Sequence, residues 1–378
     1  MDSVSHVRAS RVEWVDMAKG FGILLMFYGH VIQSRASAEN LAAVDQLRLI
    51  YSFHMPLFFV LAGFFFRPAA QFGPRVRQLV LQRLVPVAFF GLLLLPVWAA
   101  FAVRHHLAWS YYVRPLGLAY LRGRPELDWV TWFLVCMFVC ELMALLCLPR
   151  LKSVAAQLLF ATVCLWSGVL LCNHGDALEG WLGAVSSVWF VREAIVALGF
   201  YSIGHALYPL TIALSNRRWL GLGLIFASVA GVMSTYRLNH PHEALAVMMA
   251  AAEHGDVIDF VFTALAGTLG VISVSQLLPQ VRWVAWVGRN ALPLLGLNGV
   301  MFHFLNHKLA EIWPLADRPL DVTVYVLVIT SVSLLACVPL VKLLNRYVPQ
   351  LIGQVHVSGP WLPALDDGER KVHRAAIG

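Results

Sequence analysis

Charged residues are scarce in this chain. Asp, Glu, Lys and Arg make up 13% of its 378 residues, whereas soluble domains average about 25%. Hydrophobic residues make up 59%, and the mean hydropathy is +0.71. This composition excludes an ordinary soluble domain and predicts a polytopic membrane protein. The net charge of +7 is therefore not evidence for a nucleic-acid partner.

Cysteine patterns that would indicate a disulfide framework or a metal site are also missing. The six cysteines include no C-x-x-C pair, and no set of histidine ligands accompanies them. All of them lie in or beside apolar stretches, so we expect small buried hydrophobic residues rather than disulfides or metal ligands. They are Cys136, Cys140, Cys147, Cys164, Cys172 and Cys337.

A cleavable signal peptide, an internal repeat and a low-complexity tract are likewise not visible. Residues 1–12 are polar, and further apolar stretches follow the first one, so the first stretch is typical of a signal anchor. Ten stretches are long and apolar enough, or nearly so, to span a bilayer. They are residues 14–34, 48–66, 84–103, 129–148, 155–172, 186–208, 219–236, 258–278, 284–305 and 322–344.

The distribution of cations predicts the orientation of these spans. If the N-terminus is cytoplasmic and the spans alternate, eighteen of the 28 Lys and Arg residues lie on the cytoplasmic side and nine on the outer side, while Arg192 lies within a span. Such an excess follows the positive-inside rule. We therefore predict an all-α membrane domain over residues 1–348 with about ten transmembrane helices and both termini cytoplasmic. Residues 349–378 are predicted to be a flexible cytoplasmic tail.

The first stretch carries a lysine and a histidine, Lys19 and His30, eleven residues apart. At about 100° and 1.5 Å per residue, they fall on nearly the same helix face, roughly 16 Å apart along the axis. Ionisable residues inside a membrane are costly to bury and are therefore functional candidates. We expect Lys19 to anchor a phosphate-bearing ligand at the membrane edge, and His30 to perform proton chemistry at its far end.

The second stretch contains another histidine in the outer half of the membrane. His54 lies on the helix that follows the one with His30, so the two imidazoles can meet. Pro56 frees a backbone carbonyl and can bend this helix, which suits a cavity. The alternatives for His54 are a structural hydrogen bond between helices or, together with His30, axial ligation of a haem.

The fourth stretch contains Trp132 and, near mid-span, Glu141. A carboxylate at that depth must be paired or protonated. Glu141 can orient or deprotonate a histidine, or it can be the structural partner of Arg192.

The ninth stretch brings three further candidates, Arg289, Asn298 and His303. Arg289 is a possible phosphate contact at the cytoplasmic edge, and Arg83, with Arg75 and Arg77, forms another cationic group on that side. These arginines are equally consistent with the positive-inside signal alone. His303 lies near the outer end, where an interfacial histidine is the alternative.

The blocks of residues around these candidates resemble the acyltransferase-3 family of integral-membrane O-acyltransferases. The spacing Arg11-x4-Asp16-x2-Lys19-Gly20, with Lys19-x10-His30, is similar to the family's opening signature. The segment from Phe53 to Phe59, with Gly63-Phe64, is similar to its second-helix block and to the branch of fucose-acetylase-like enzymes. Trp132-Phe133-Leu134 and Gly288-Arg289-Asn290 follow in the family's order. At two positions where many members have glutamate and histidine, this chain has Met137 and Asn298.

The resemblance implies an enzyme of the bacterial inner membrane that moves an acyl group, usually acetyl, from cytoplasmic acyl-CoA to a carbohydrate hydroxyl. The acceptor would be an exopolysaccharide of the xanthan type, an O-antigen or a lipid-linked sugar. Acetyl-CoA would be a substrate, with no tightly bound cofactor, no metal and no nucleic-acid partner. Three groups of residues carry these expectations: His30, His54 and Glu141 for catalysis; Lys19, Arg11, Asp16, Arg83 and Arg289 for acyl-CoA; and Trp132, Asn298 and His303 for the acceptor.

A transporter or flippase for a lipid-linked sugar is the alternative from another functional class. It would also need polar groups in the membrane and helices broken by Pro or Gly. Such proteins are expected to show two related halves, which this sequence does not display.

Overall fold

A computed structural model describes residues 12–366 except 38, 109, 176–187, 216, 242 and 314–315. Within these ranges the chain is built from helices and contains no β-strand. The predicted all-α membrane architecture is confirmed.

Eight helices are long and apolar enough to cross a bilayer within the described ranges. Together with the shorter helices they are numbered here in chain order. The set is α1 (Glu13–Gln33), α2 (Leu41–Tyr51), α3 (His54–Gly63), α4 (Phe72–Arg104), α5 (Ser110–Arg122), α6 (Glu126–Arg150), α7 (Val154–Asn173), α8 (Val191–Leu214), α9 (Arg218–Thr235), α10 (Val257–Leu277), α11 (Arg282–Arg289), α12 (Ala291–Met301), α13 (His307–Ile312) and α14 (Pro319–Tyr347).

Two of the ten predicted spans are broken rather than continuous. The second consists of α2 and α3, with Phe53 in a non-helical conformation between them, and the ninth consists of α11 and α12, joined at Asn290. In both cases a proline, Pro56 or Pro293, is the third residue of the second segment. The first turn of a helix has amides without intrahelical acceptors, so a proline costs no hydrogen bond there. The eight continuous helices and the two broken spans correspond to the ten predicted stretches.

Helix α1 is central to the bundle. Within an apolar 18-residue stretch of α1, 67% is buried inside the protein, compared with 11% for the corresponding stretch of α9. It packs against α2, α3, α10, α11 and α14. Its most buried large side chains are Met17, Ile23, Met26, Phe27 and Ile32. A helix buried this deeply can present one face to interior cavities instead of to lipid.

Close backbone contact joins α1 to α11. A Cβ atom at Gly20 would collide with the carbonyl group of Val284, and one at Gly288 would collide with the carbonyl group of Asp16. The absence of side chains at these two positions lets the helices touch through their backbones, as small residues do in many membrane-helix pairs. This contact fixes the end of α11, and therefore Arg289, beside the first turns of α1.

The segment after α14 is folded, in contrast to the predicted flexible tail from residue 349. A short 3-10 helix covers Pro349–Ile352, and Gln350 and Val355 are fully buried. The backbone amide of Leu365 donates to the carbonyl of Val355, and Arg77 pairs with Asp366 at 3.3 Å. Burial of apolar side chains holds residues 349–366 against the bundle. Residues 367–378 lie outside the described part.

The cysteines fit their predicted role. All six are free thiols, and all except the half-buried Cys147 are buried.

Candidate active site

Two interior cavities lie along one face of α1. The first, called the basic cavity here, has a volume of about 520 Å³ and is bounded by Lys19, Ile23 and Met26 on this helix. The second, the histidine pocket, has a volume of about 90 Å³ and is bounded by His30 and Gln33. The helical spacing of these five residues places Lys19 and His30 on a common cavity-facing stripe, as the sequence predicts.

The basic cavity collects cations from three helices. Lys19 comes from α1, Arg75 and Arg83 come from α4, and Arg289 ends α11. Four cations and the carboxylate of Glu141 line this space among the described residues, so it carries excess positive charge. Gly353 and Gln354, from the folded C-terminal segment, form part of the wall.

Two of these arginines are held by carboxylates. Arg83 donates from Nε and Nη2 to both oxygens of Glu141, each at 2.8 Å. Arg289 Nη1 lies 4.0 Å from Asp16 Oδ2. The Nζ atom of Lys19 lies 5.4 Å from the ring centre of Phe65. These contacts fix the orientation of the cations before any anion enters.

The histidine pocket holds both predicted histidines. His30 contacts Asn298 through Nδ1 and the amide oxygen Oδ1, so Nδ1 carries the proton that it donates. In the neutral imidazole the lone pair is then on Nε2, and this nitrogen can accept a proton as a general base. His54 donates from Nδ1 to the carbonyl of Ile50 at 3.0 Å, and its ring packs 4.7 Å from that of Tyr51.

The helix break before α3 places His54 in the pocket. Phe53 is non-helical, so the chain turns there and His54 becomes the first residue of α3. His54 is 2% exposed. The aromatic residues Trp129 and Trp132, from the first turns of α6, and Phe302, which follows α12, close other sides.

The loop between α9 and α10 contributes a further wall of the pocket. Val247, Met248, Met249 and Ala250 line it. Arg48 of α2 donates to the carbonyl of Leu245 at 2.8 Å and ties this loop to the helices.

The structure separates Glu141 from the histidines, which corrects both expectations for this residue. It lies nine residues beyond Trp132 on α6, or about 13 Å along a helix axis, and it lines the basic cavity. Its partner is Arg83 rather than a histidine or Arg192, because α4 brings the guanidinium to the same end of the bundle.

The remaining predicted residues have different placements. Asp16 is buried and faces Arg289, so it supports a cation instead of bounding the basic cavity. Asn298 is fully buried and contacts His30, so it is a partner of the histidine rather than a pocket-lining residue. Arg11 and the side chain of His303 lie outside the described part.

Sequence reasoning missed several residues of the histidine pocket. Gln33, Tyr51, Trp129 and Phe302 line it, and so does Met55. Tyr51 and Met55 flank His54 in the chain, and Trp129 lies one helical turn before Trp132, so proximity to the predicted residues was the available signal. Nothing in the sequence indicated the loop residues from 247 to 250.

The described residues contain no group of three or more His, Cys, Asp or Glu side chains placed to hold a metal ion. One of the two cavities is lined by cations, and the other contains a pair of imidazoles.

Comparison with known families agrees with this arrangement. The family model described as an acyltransferase domain matches residues 12–342. The chain belongs to the acyltransferase-3 family. The matched region begins before Lys19 and ends within α14, so it includes the α1 stripe and the membrane-spanning helices that line the two cavities, but not residues 352–354 of the C-terminal segment. Comparisons with curated proteins and with solved structures gave no match.

Proposed function

We propose that this membrane acyltransferase moves an acetyl group from acetyl-CoA, bound from the cytoplasm in the basic cavity, to a carbohydrate hydroxyl in the histidine pocket. The observation that supports this proposal most is the stripe of Lys19, Ile23, Met26 and His30 on α1. It joins a cation-lined cavity to an imidazole pair across part of the membrane thickness.

The chemistry of the donor suits the basic cavity. Coenzyme A carries its phosphates at one end and its thioester at the end of a long flexible arm. Arginine binds phosphate through paired N–H donors, and lysine binds it as a point charge. Lys19, Arg75, Arg83 and Arg289 would hold the phosphates, and the arm would follow Ile23 and Met26 toward His30. Glu141 and Asp16 orient Arg83 and Arg289 in this scheme.

The transfer step requires a base at the acceptor hydroxyl. The Nε2 atom of His30 takes the hydroxyl proton as the acceptor oxygen forms a bond to the thioester carbon. The carbon–sulfur bond then breaks, and the departing thiolate receives the proton from His30. Such base catalysis contributes about 10²–10⁴-fold. Asn298 fixes the tautomer of His30. Nδ1 of His54 donates to the carbonyl of Ile50, so its Nε2 is also unprotonated and shares the proton work with His30.

The acceptor would approach from the side of the membrane opposite to the basic cavity. Trp129 and Trp132 offer aromatic faces, and Gln33 offers an amide, which together suit a sugar ring with its hydroxyls. The excess of cations at the Lys19 side favours a cytoplasmic donor cavity under the positive-inside rule. The corresponding location is the inner membrane of a bacterium, with an exported glycan or a lipid-linked sugar as acceptor.

The first experiment is acyl-CoA turnover by purified protein in detergent. Radiolabelled acetyl-CoA is added with a pool of bacterial glycan intermediates, and both free thiol and transferred label are followed. We expect turnover by the wild type and its loss in His30→Ala. His174→Ala is the matched control, because this exposed histidine directly follows α7 and lines neither cavity.

The outcomes separate the possible functions. Near-normal transfer by His30→Ala would contradict the role of His30. Folded protein that binds no acetyl-CoA would favour the transporter alternative, since a transporter of lipid-linked sugars has no use for acyl-CoA.

A further inference from the structure

The two cavities meet at a methionine. Met55 is the second residue of α3, directly after His54, and it lines both the basic cavity and the histidine pocket. This residue is 8% exposed. We propose that Met55 forms the neck between these cavities and determines which acyl chains reach His30. This proposal rests on the function proposed above.

Among the described residues, Met55 alone lines both cavities, and their other walls are distinct. Met26, Phe58 and Phe133 line the basic cavity, whereas Tyr51 and Trp132 line the histidine pocket. A thioester that travels from the cations toward His30 therefore passes the Met55 side chain. The acyl carbon must reach the histidine pocket, while the coenzyme stays behind in the basic cavity.

The difference in volume gives the neck its selectivity. The basic cavity measures about 520 Å³ and the histidine pocket about 90 Å³. Because one water needs roughly 10–15 Å³ of such space, the pocket holds on the order of six to nine water-sized groups, which the acyl group must share with the acceptor hydroxyl and the part of the sugar that carries it. The carbons that a butyryl or hexanoyl chain adds must therefore fold back from the carbonyl into the neck, against the Met55 side chain.

Methionine suits this position because it is unbranched, has three rotatable side-chain bonds and adapts to irregular spaces. It can yield to a short acyl group while it still fills the neck. The aromatic rings on both sides have fewer rotatable bonds. Shortening Met55 is therefore the smallest change that lengthens the space available to an acyl chain.

The test compares acetyl-, butyryl- and hexanoyl-CoA as donors for the wild type, Met55→Ala and Met55→Leu. We expect the wild type to prefer acetyl-CoA. Met55→Ala should raise the butyryl-to-acetyl ratio of kcat/KM by roughly tenfold, the scale at which one or two methylenes are discriminated in a tight pocket. Met55→Leu conserves volume and should keep the wild-type ratio. Met143→Ala is the matched control, since Met143 is a half-buried methionine that lines neither cavity.

A complementary variant narrows the neck. Met55→Phe should lower acetyl turnover but leave the Kd for coenzyme A unchanged, because the phosphates bind on the basic-cavity side. This variant also covers the case in which Met55→Ala does not fold, which thermal unfolding detects.

Three results would overturn the proposal. One is an unchanged butyryl-to-acetyl ratio in folded Met55→Ala, and another is wild-type turnover in Met55→Phe. Either of these two results would reject the role of Met55 without contradicting the proposed acyltransferase function. Wild-type protein without any acyl-CoA turnover would overturn the neck and the proposed function together.

Discussion

At the scale of single residues, the contact between His30 and Asn298 determines which nitrogen can act as the base. The amide oxygen of Asn298 accepts the Nδ1 proton of His30. Without this partner the imidazole can rotate and exchange tautomers, so a smaller fraction of the protein has Nε2 free at the acceptor. Asn298 therefore serves as a positioning residue in the proposed reaction.

We expect Asn298→Ala to lower kcat by roughly 10- to 100-fold, part of the 10²–10⁴-fold that general base catalysis contributes. The KM for acetyl-CoA should change little, because Asn298 is remote from the cations. Initial rates across a range of acetyl-CoA concentrations separate the two parameters. Asn173→Ala is the control for loss of an asparagine hydrogen bond, because the Asn173 amide donates to the carbonyl of Gly255 at 2.8 Å but lines neither cavity. An unchanged kcat in Asn298→Ala would show that the contact does not serve catalysis.

At the scale of elements, the contact of α1 with α11 depends on two glycines. Gly288→Ala would place a Cβ against the carbonyl of Asp16 and force the helices apart. Overpacking of this kind costs about 1–3 kcal/mol, and it would also move Arg289 away from Asp16. We expect a lower thermal unfolding midpoint in detergent and a higher KM for acetyl-CoA.

The control for this prediction is Gly223→Ala in α9. A Cβ at Gly223 would meet no atom within 4 Å, so this substitution should not lower the midpoint. Equal midpoints for Gly288→Ala and the wild type would contradict the close contact.

The loop between α9 and α10 contains a histidine that should make stability depend on pH. Burial lowers the pKa of His254 from its ordinary value of 6.5 to about 4. Between these values the unfolded chain binds a proton that the folded protein does not. Stability is therefore fully present above about pH 6.5 and decreases as the pH falls toward 4.

We expect the unfolding midpoint of the wild type to fall between pH 7 and pH 5, and to fall less in His254→Gln. The same loop lines the histidine pocket with residues 247 to 250. Identical decreases in both proteins would assign the pH dependence to other groups.

At the scale of the whole molecule, residues 349–366 close one wall of the basic cavity. Gly353 and Gln354 line it, while Ile352 and Val355 are buried against the bundle. Loss of this segment would open the cavity to solvent and weaken the electrostatic attraction of phosphates, because water screens the cations.

A variant that ends at residue 348 should still insert into the membrane, since all the spans precede that position. We expect a several-fold increase in the KM for acetyl-CoA and a smaller change in kcat. A second truncation, after residue 366, leaves residues 349–366 in place and should keep the wild-type KM. Equal KM values for both truncations would remove this segment from the donor cavity.

The sequence by itself determined the class of the protein, the number of spans and the stripe on α1. Composition and apolar length are local properties, and helical periodicity carries Lys19 and His30 to one face regardless of what packs around them. The breaks at Phe53 and Asn290 were not predicted, although Pro56 indicated a bend, because apolar composition continues through both positions.

Only the tertiary structure decided which polar groups meet. Asn298 reaches His30, and Arg83 reaches Glu141, through pairings separated by 268 and 58 residues in the chain. No periodicity within one helix encodes such partners, because they depend on which helices are neighbours and how far each extends. The folded segment after α14 and the loop beside the histidines likewise take their places through burial of a few apolar side chains. The neck at Met55 exists because the break before α3 places this side chain between the two cavities.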